Sequence, residues 1–132
     1  MKLRYLSRKE IVEVHEKVIN EYGGMPGILN DGSIDLAAQA PALFLFGYEP
    51  YQGLSKKAAV LFTEINKLHP FMDGNKRTAY LSAEAFLMLN GYKLVADLGQ
   101  AVTISLESAS CTADTDSVAK WVSEHLRRLF WQ

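Results

Sequence analysis

Everything else in the chain is arranged around HPFMDGNKRT, residues 69–78. Pro70 restricts His69 and stops the helical pattern that leads up to it. From Asn75 onward, Ala79, Ala83, Phe86, Leu87 and Leu89 recur at helical spacing, and Asn90-Gly91 closes the run. The stretch therefore predicts a loop that delivers the chain into a long central helix. Backbone N–H groups from about Gly74 to Arg77 face outward there with no intrahelical partner, and such groups attract anions.

On the N-terminal side, Ser7 and Glu10 make a capping box ahead of Ile11, Val14, His15, Val18 and Tyr22, which predicts a first helix ending at Gly23-Gly24. Pro26, Gly27 and Asn30-Asp31-Gly32 signal a loop with a turn. Residues 34–40 then read as a short helix stopped by Pro41, and residues 41–53 as an irregular aromatic stretch. Ser55 reads as the cap of a helix turning Ala59, Phe62, Ile65 and Leu68 to the core. On the C-terminal side, Asp97 caps a helix to about residue 108. Asp114 or Thr115 caps a last helix carrying Val118, Trp121, Val122, His125 and Leu129. Strand alternation is nowhere sustained, and no repeat or linker is visible. The expectation is an all-α fold, a single domain over residues 1–132 with about six helices around the central one.

Composition narrows the function classes. A chain of 132 residues with 48% hydrophobic content suits one ordinary core. With 14 basic and 15 acidic side chains, the net charge of -1 provides no bulk attraction to nucleic acid or an anionic membrane, so any basic site must be local. The start is charged and lacks a secretory signal's apolar stretch, and the longest apolar run, residues 42–46, is too short for a bilayer. Cys111 is the only cysteine, which excludes an internal disulfide or a cysteine-based metal cluster. A cytoplasmic protein without membrane or direct nucleic-acid contact is expected.

The chemistry gathers in residues 69–77. Gly74 lets backbone approach a ligand, Asn75 adds a donor, and Lys76 and Arg77 bring two cations to the same place, a set suited to polyphosphate. A lone carboxylate would be repelled beside bound phosphate, and Asp73 makes sense there if it holds a Mg²⁺ that bridges phosphate oxygens. An imidazole ordinarily titrates near neutrality, so His69 can accept the proton of a hydroxyl that attacks phosphorus. Phe71 reads as the loop's anchor in the core. Taken singly, these residues have ordinary explanations, a turn or a solvated helix surface. Taken as an ordered set of His, Phe, Asp, Gly, Asn and Arg, they point to a site.

HPFMDGNKR resembles the signature of the Fic/Doc family, whose Fic form is HxFx(D/E)GNGRxxR. Lys76 stands where Fic enzymes have a second glycine and Tyr80 where they have the last arginine. Both departures are similar to the Doc branch, the death-on-curing toxins, with HxFx(D/N)(A/G)NKR. The EYGG after the first helix, the Asp31-Gly32 turn, the alanine-rich helix before His69 and the LNGY after the central helix extend the likeness.

The resemblance implies a toxin of a toxin-antitoxin module. Such a toxin transfers the γ-phosphoryl group of ATP to a Thr or Ser hydroxyl of a translation factor, elongation factor Tu by family analogy, and so stops translation. It implies His69 as base, Asp73 as Mg²⁺ ligand, and Gly74, Asn75, Lys76 and Arg77 around the nucleotide's phosphates. It also implies a cognate antitoxin whose flexible segment folds on binding. A Lys76 side chain fills space where a phosphate would meet bare backbone, and Tyr80 cannot clamp a phosphate as a guanidinium does, which weakens AMP transfer. Gly74 is the one Fic-like feature that keeps protein adenylylation as an alternative. A non-enzymatic binder that blocks translation is a third reading, and a ribonuclease is weaker because the chain lacks a basic excess and a second general acid.

Four further features are set apart from the site. His15, on the apolar face of the first helix, reads as a hydrogen-bonded core residue. Residues 44–51, with Phe46, Tyr48 and Tyr51, lie where Fic proteins carry a target-steering flap, with packing as the equal alternative. Leu129-Phe130-Trp131 either docks on the core or meets a partner. Residues 103–108 around Glu107 approach the family's self-inhibitory (S/T)xxxE(G/N) but end in the wrong residue, which implies control by a separate protein.

Overall fold

The computed structural model describes residues 2–97, 99–101, 103–104 and 114–129. Ser7 Oγ accepts from the Glu10 N–H at 3.2 Å and Glu10 Oε1 accepts from the Ser7 N–H at 2.9 Å, so the capping box opens α1 (Arg8–Tyr22) as expected. Ile11, His15 and Val18, one turn apart, are its buried stripe. The helix closes where Gly23 N–H bonds Ile19 O at 2.9 Å.

α2 (Asp31–Gln39) begins at Asp31 rather than Ile34, because the Asp-Gly pair that reads as a turn is already the helix's first turn. It runs into a 3₁₀ turn, Ala40–Ala42, where Pro41 is tolerated because its missing N–H would have no partner in a first turn. Beyond it, Leu45 and Tyr48 exchange two backbone hydrogen bonds of 2.8 Å around Phe46 and Gly47, both at positive φ (52° and 79°). This is the twist of a type I′ hairpin turn, and it leaves the Phe46 ring fully exposed. The segment is tied down by Lys57, a buried lysine whose Nζ donates to Pro41 O at 2.7 Å and to Glu49 Oε2 at 2.6 Å.

α3 (Leu54–Leu68) starts after Gly53 and not after a Ser55 cap. Gly53, at φ 87°, is the N-cap, no side chain caps the helix, and Ser55 sits inside the first turn. Lys57, Ala58, Ala59, Val60, Leu61, Phe62, Thr63, Ile65 and Asn66 are all buried, far more than one stripe, because α2 and the helices at residues 75–89 and 115–124 all pack against this helix. α4 (Asn75–Leu89) buries Thr78, Ala79, Ser82, Ala83, Phe86 and Leu87 and lies against α1 and α3. Its C-cap, Asn90, donates to Arg4 O at 2.9 Å and accepts from Arg4 N–H at 3.0 Å, fastening the N-terminal segment.

After α4 come β1 (Tyr92–Leu94) and a helical stretch at residues 99–101 and 103–104. That stretch is opened by a reciprocal pair, Gln100 N–H to Asp97 Oδ1 at 2.7 Å and Asp97 N–H to Gln100 Oε1 at 3.0 Å. The expected end near residue 108, and Glu107 with it, lies outside the described residues. α5 (Thr115–Glu124) is capped by Asp114, whose Oδ1 accepts from Ser117 N–H at 2.8 Å. It ends at Glu124, so Leu129 does not belong to it. Instead β2 (Leu126–Arg128) returns antiparallel to β1, with Tyr92 opposite Arg128 and Leu94 opposite Leu126. Leu129 N–H then bonds Gly91 O at 2.9 Å; Phe130 and Trp131 lie outside the described residues.

One cluster of buried apolar side chains joins these elements, running from Leu6 and Ile11 through Ile34, Phe62, Phe71 and Phe86 to Val118 and Val122. The all-α expectation holds, with the small β1–β2 pair added. Among the described residues no helix is long and apolar enough to cross a membrane.

Candidate active site at the start of α4

The loop that joins α3 to α4 is held by a short antiparallel pairing with residues 27–29. Leu29 N–H bonds Pro70 O at 2.8 Å, Met72 N–H bonds Gly27 O at 3.0 Å, and Ile28 faces Phe71 in an isolated bridge. Phe71 between them is fully buried, so the loop has an apolar root in the core. Its own N–H and C=O are not used by the bridge. They go to Asn75, whose Oδ1 accepts from Phe71 N–H at 3.0 Å and whose Nδ2 donates to Phe71 O at 2.9 Å. The side chain expected as a phosphate donor thus clamps the loop from the first residue of α4.

His69 is the C-cap of α3, its N–H bonding Ile65 O at 3.2 Å. It has φ 48° and ψ 62°, left-handed values that a residue with a Cβ adopts at a cost of about 1–2 kcal/mol. The side chain is exposed. Strain of this kind at an exposed imidazole marks a position where surrounding structure sets the side chain's aim.

Asp73 is also exposed, and its carboxylate is held by two backbone donors, Gly74 N–H to Oδ1 at 2.9 Å and Met25 N–H to Oδ2 at 3.2 Å. Those two amides fix the carboxylate beside the cationic helix start. Each oxygen accepts one hydrogen bond and keeps lone-pair capacity. As one protein carboxylate completed by phosphate oxygens and water, the residue fits a Mg²⁺ ion. Among the described residues, no group of three or more His, Cys, Asp or Glu side chains forms a metal site made of protein alone.

Gly74, at φ 76° and ψ 16°, is the N-cap of α4 and offers no side chain to the first amides of the helix, which leaves those of Asn75, Lys76 and Arg77 without a cap. A Cβ on Gly74 would come within 3.1 Å of Val18 Cγ1 and 3.4 Å of Ile19 Cδ1. Glycine therefore suits this position by backbone angle and by the approach of α1. Lys76 is exposed, and the Arg77 guanidinium lies 3.9 Å from the centroid of the Tyr22 ring. Tyr80 turns away from this end. It is half-buried, edge-on to Phe62 at 6.4 Å and to Trp121 at 6.3 Å, a packing residue of the α3–α5 side.

His15 is the buried, hydrogen-bonded histidine that the sequence predicts, and what the sequence does not show is its partner: Nε2 lies 2.8 Å from Asp73 O and the ring is stacked on Phe71, against the motif. Gly24, which reads in the sequence as part of a helix stop, also borders the motif. At φ 115° it leaves the room Asp73 needs, since a Cβ there would stand 2.8 Å from Asp73 Oδ2. The signal for His15 lies in α1: His15, Val18, Ile19 and Tyr22, at i, i+3, i+4 and i+7, form one face, and each touches or borders the loop and the first turn of α4.

Comparison with known proteins agrees with this geometry. The sequence model of the Fic/DOC family matches residues 5–87, which take in α1 and the whole site. The chain is 33% identical over 117 residues to the Toxin Doc of Mycolicibacterium smegmatis, covering 87% of this chain and 88% of that protein. It is 31% identical over 128 residues to the Protein kinase doc of Escherichia phage P1, covering 97% of each. With its motif loop rooted in the core and an uncapped α4 behind it, the chain belongs to the Fic/DOC family.

Proposed function

We propose that this protein is the toxin of a toxin-antitoxin module and a protein kinase, moving the γ-phosphoryl group of ATP to a Thr or Ser hydroxyl of a translation factor, with elongation factor Tu as the family's example. The observation that carries the proposal is an exposed histidine, held in a strained conformation five residues before the glycine that opens an uncapped helix followed by Lys76 and Arg77. The relative named Protein kinase doc, aligned along nearly the whole chain, favours phosphoryl over nucleotidyl transfer.

In this mechanism the α4 amides, Lys76 and Arg77 bind the phosphates, and Tyr22 steadies the Arg77 guanidinium. The target hydroxyl attacks the γ-phosphorus while His69 takes its proton. The bond between the γ-phosphorus and the bridging oxygen breaks, and ADP leaves with that electron pair. Asp73 would hold Mg²⁺, which supplies charge neutralisation on phosphate oxygens. Asn75 contributes by keeping the loop in shape. Because the missing Cβ of Gly74 faces α1, the Fic-like glycine gives adenylylation no particular support. Exposed Met25, Ile28, Leu29 and Met72 around the loop suit an antitoxin segment that folds on contact.

The test is transfer of label from [γ-³²P]ATP and, separately, from [α-³²P]ATP to purified elongation factor Tu. Transfer of γ label alone, lost by at least about 100-fold in His69→Ala, is expected. Transfer of α label would establish adenylylation instead, and growth inhibition that survives His69→Ala would establish a binder.

A further inference from the structure

We infer that His15 is a positioning residue of the active site, acting by locking the Asp73–Gly74 peptide; this rests on the reading of Asp73 and the start of α4 as the phosphate and metal end. His15 is 4% exposed, and its ring meets two residues of the motif and borders a third. Nε2 is 2.8 Å from Asp73 O; the ring lies 3.9 Å from that of Phe71 at an interplanar angle of 6°; and Cδ2 would be 3.8 Å from a Cβ on Gly74. A carbonyl oxygen only accepts, so Nε2 carries the hydrogen and donates.

The Asp73 C=O and the Gly74 N–H are the two ends of one peptide group. His15 holds the oxygen end. Asp73's own Oδ1 holds the N–H end at 2.9 Å. A peptide that leads into a left-handed glycine meets little steric resistance to flipping, because glycine tolerates both orientations. A flip here would withdraw the Gly74 N–H from the carboxylate and free Asp73 to leave Met25. It would also change the direction in which the uncapped amides of α4 begin. The histidine removes that freedom by holding the oxygen from the side opposite the carboxylate's grip. It resembles the outer partners that orient metal-binding carboxylates, whose loss costs about 10- to 100-fold in affinity or activity.

Two substitutions separate this role from simple packing. His15→Phe keeps a ring against Phe71 and deletes the donor, whereas His15→Gln restores an N–H near the place of Nε2 and gives up the stack. Two quantities are measured in each: hydrogen exchange of the Gly74 amide by NMR, and binding of a non-hydrolysable ATP analogue with Mg²⁺ by calorimetry. His15→Phe is expected to speed Gly74 exchange by at least about tenfold and weaken binding by about 10- to 100-fold, with His15→Gln recovering most of both. Wild-type exchange and affinity in His15→Phe would overturn the inference, as would damage in His15→Gln with none in His15→Phe. The ¹⁵N spectrum of the wild-type histidine gives a third check that needs no variant, since a hydrogen on Nδ1 alone would also overturn it. If the wild type binds no nucleotide, the functional proposal fails, while Gly74 exchange still decides the role of His15.

Discussion

Replacing Asn75 with alanine removes two hydrogen bonds, 3.0 and 2.9 Å long, from the backbone of a fully buried phenylalanine. A net hydrogen bond is worth about 1 kcal/mol, and a buried group left unsatisfied costs about 1–3 kcal/mol. The loop borders solvent, so water relieves part of that penalty and the total falls at about 2–3 kcal/mol. For a domain of this size each kcal/mol moves the midpoint by about 4 °C, which predicts a drop of about 8–12 °C in Tm. The assay is paired urea and thermal unfolding of wild type, Asn75→Ala and Asn75→Asp. Aspartate keeps an acceptor for Phe71 N–H, loses the donor to Phe71 O, and should rank between the other two. A wild-type midpoint in Asn75→Ala, together with lost nucleotide binding, would refute the clamp and return Asn75 to the phosphate site.

Glu49→Ala leaves Lys57, which is 2% exposed, with Pro41 O as its remaining acceptor. The expected loss lies toward the lower end of about 3–5 kcal/mol because Glu49 itself is 39% exposed, and adding Lys57→Met should recover part of it in thermal unfolding. Burial raises the Glu84 carboxyl above its usual range, and burial, with a smaller part from the Glu84 charge, raises the neighbouring Tyr80 phenol. The folded state therefore binds the Glu84 proton more tightly than the unfolded chain, and stability falls as pH climbs from the ordinary glutamate range through the raised value. Glu84→Gln should remove that slope and add about a few tenths of a kcal/mol at pH 7, a small gain because the side chain keeps contact with solvent; a urea midpoint with unchanged pH dependence would count against it.

What could be foreseen from sequence follows the reach of each signal. The Ser7–Glu10 box and the Asn90-Gly91 stop are chemical statements made within four residues, and both hold. Ser55 misled because serine at a boundary usually caps, whereas here a left-handed Gly53 opens α3 without a side-chain bond. β1 and β2 have three residues each, too few to alternate visibly, and their pairing joins residues far apart in the chain, so Leu129 was drawn into a helix that ends at Glu124. At the site, the motif itself could be read as a string. The division of labour inside it could not, because Asn75 bonding back to Phe71, and His15 reaching Asp73 from 58 residues away, are facts of three dimensions.

The burial of α3 has a consequence for synthesis on the ribosome. α4 covers part of that helix soon after it emerges, but Val118 and Val122 of α5 belong to the same core and are made only after some thirty further residues. A nascent chain that already holds every motif residue thus still shows an apolar flank of α3 to the solvent. Premature termination before residue 115 should yield a sticky, protease-sensitive fragment and not a closed domain. That order of events completes the shelter around α3 only well after the motif itself has been made.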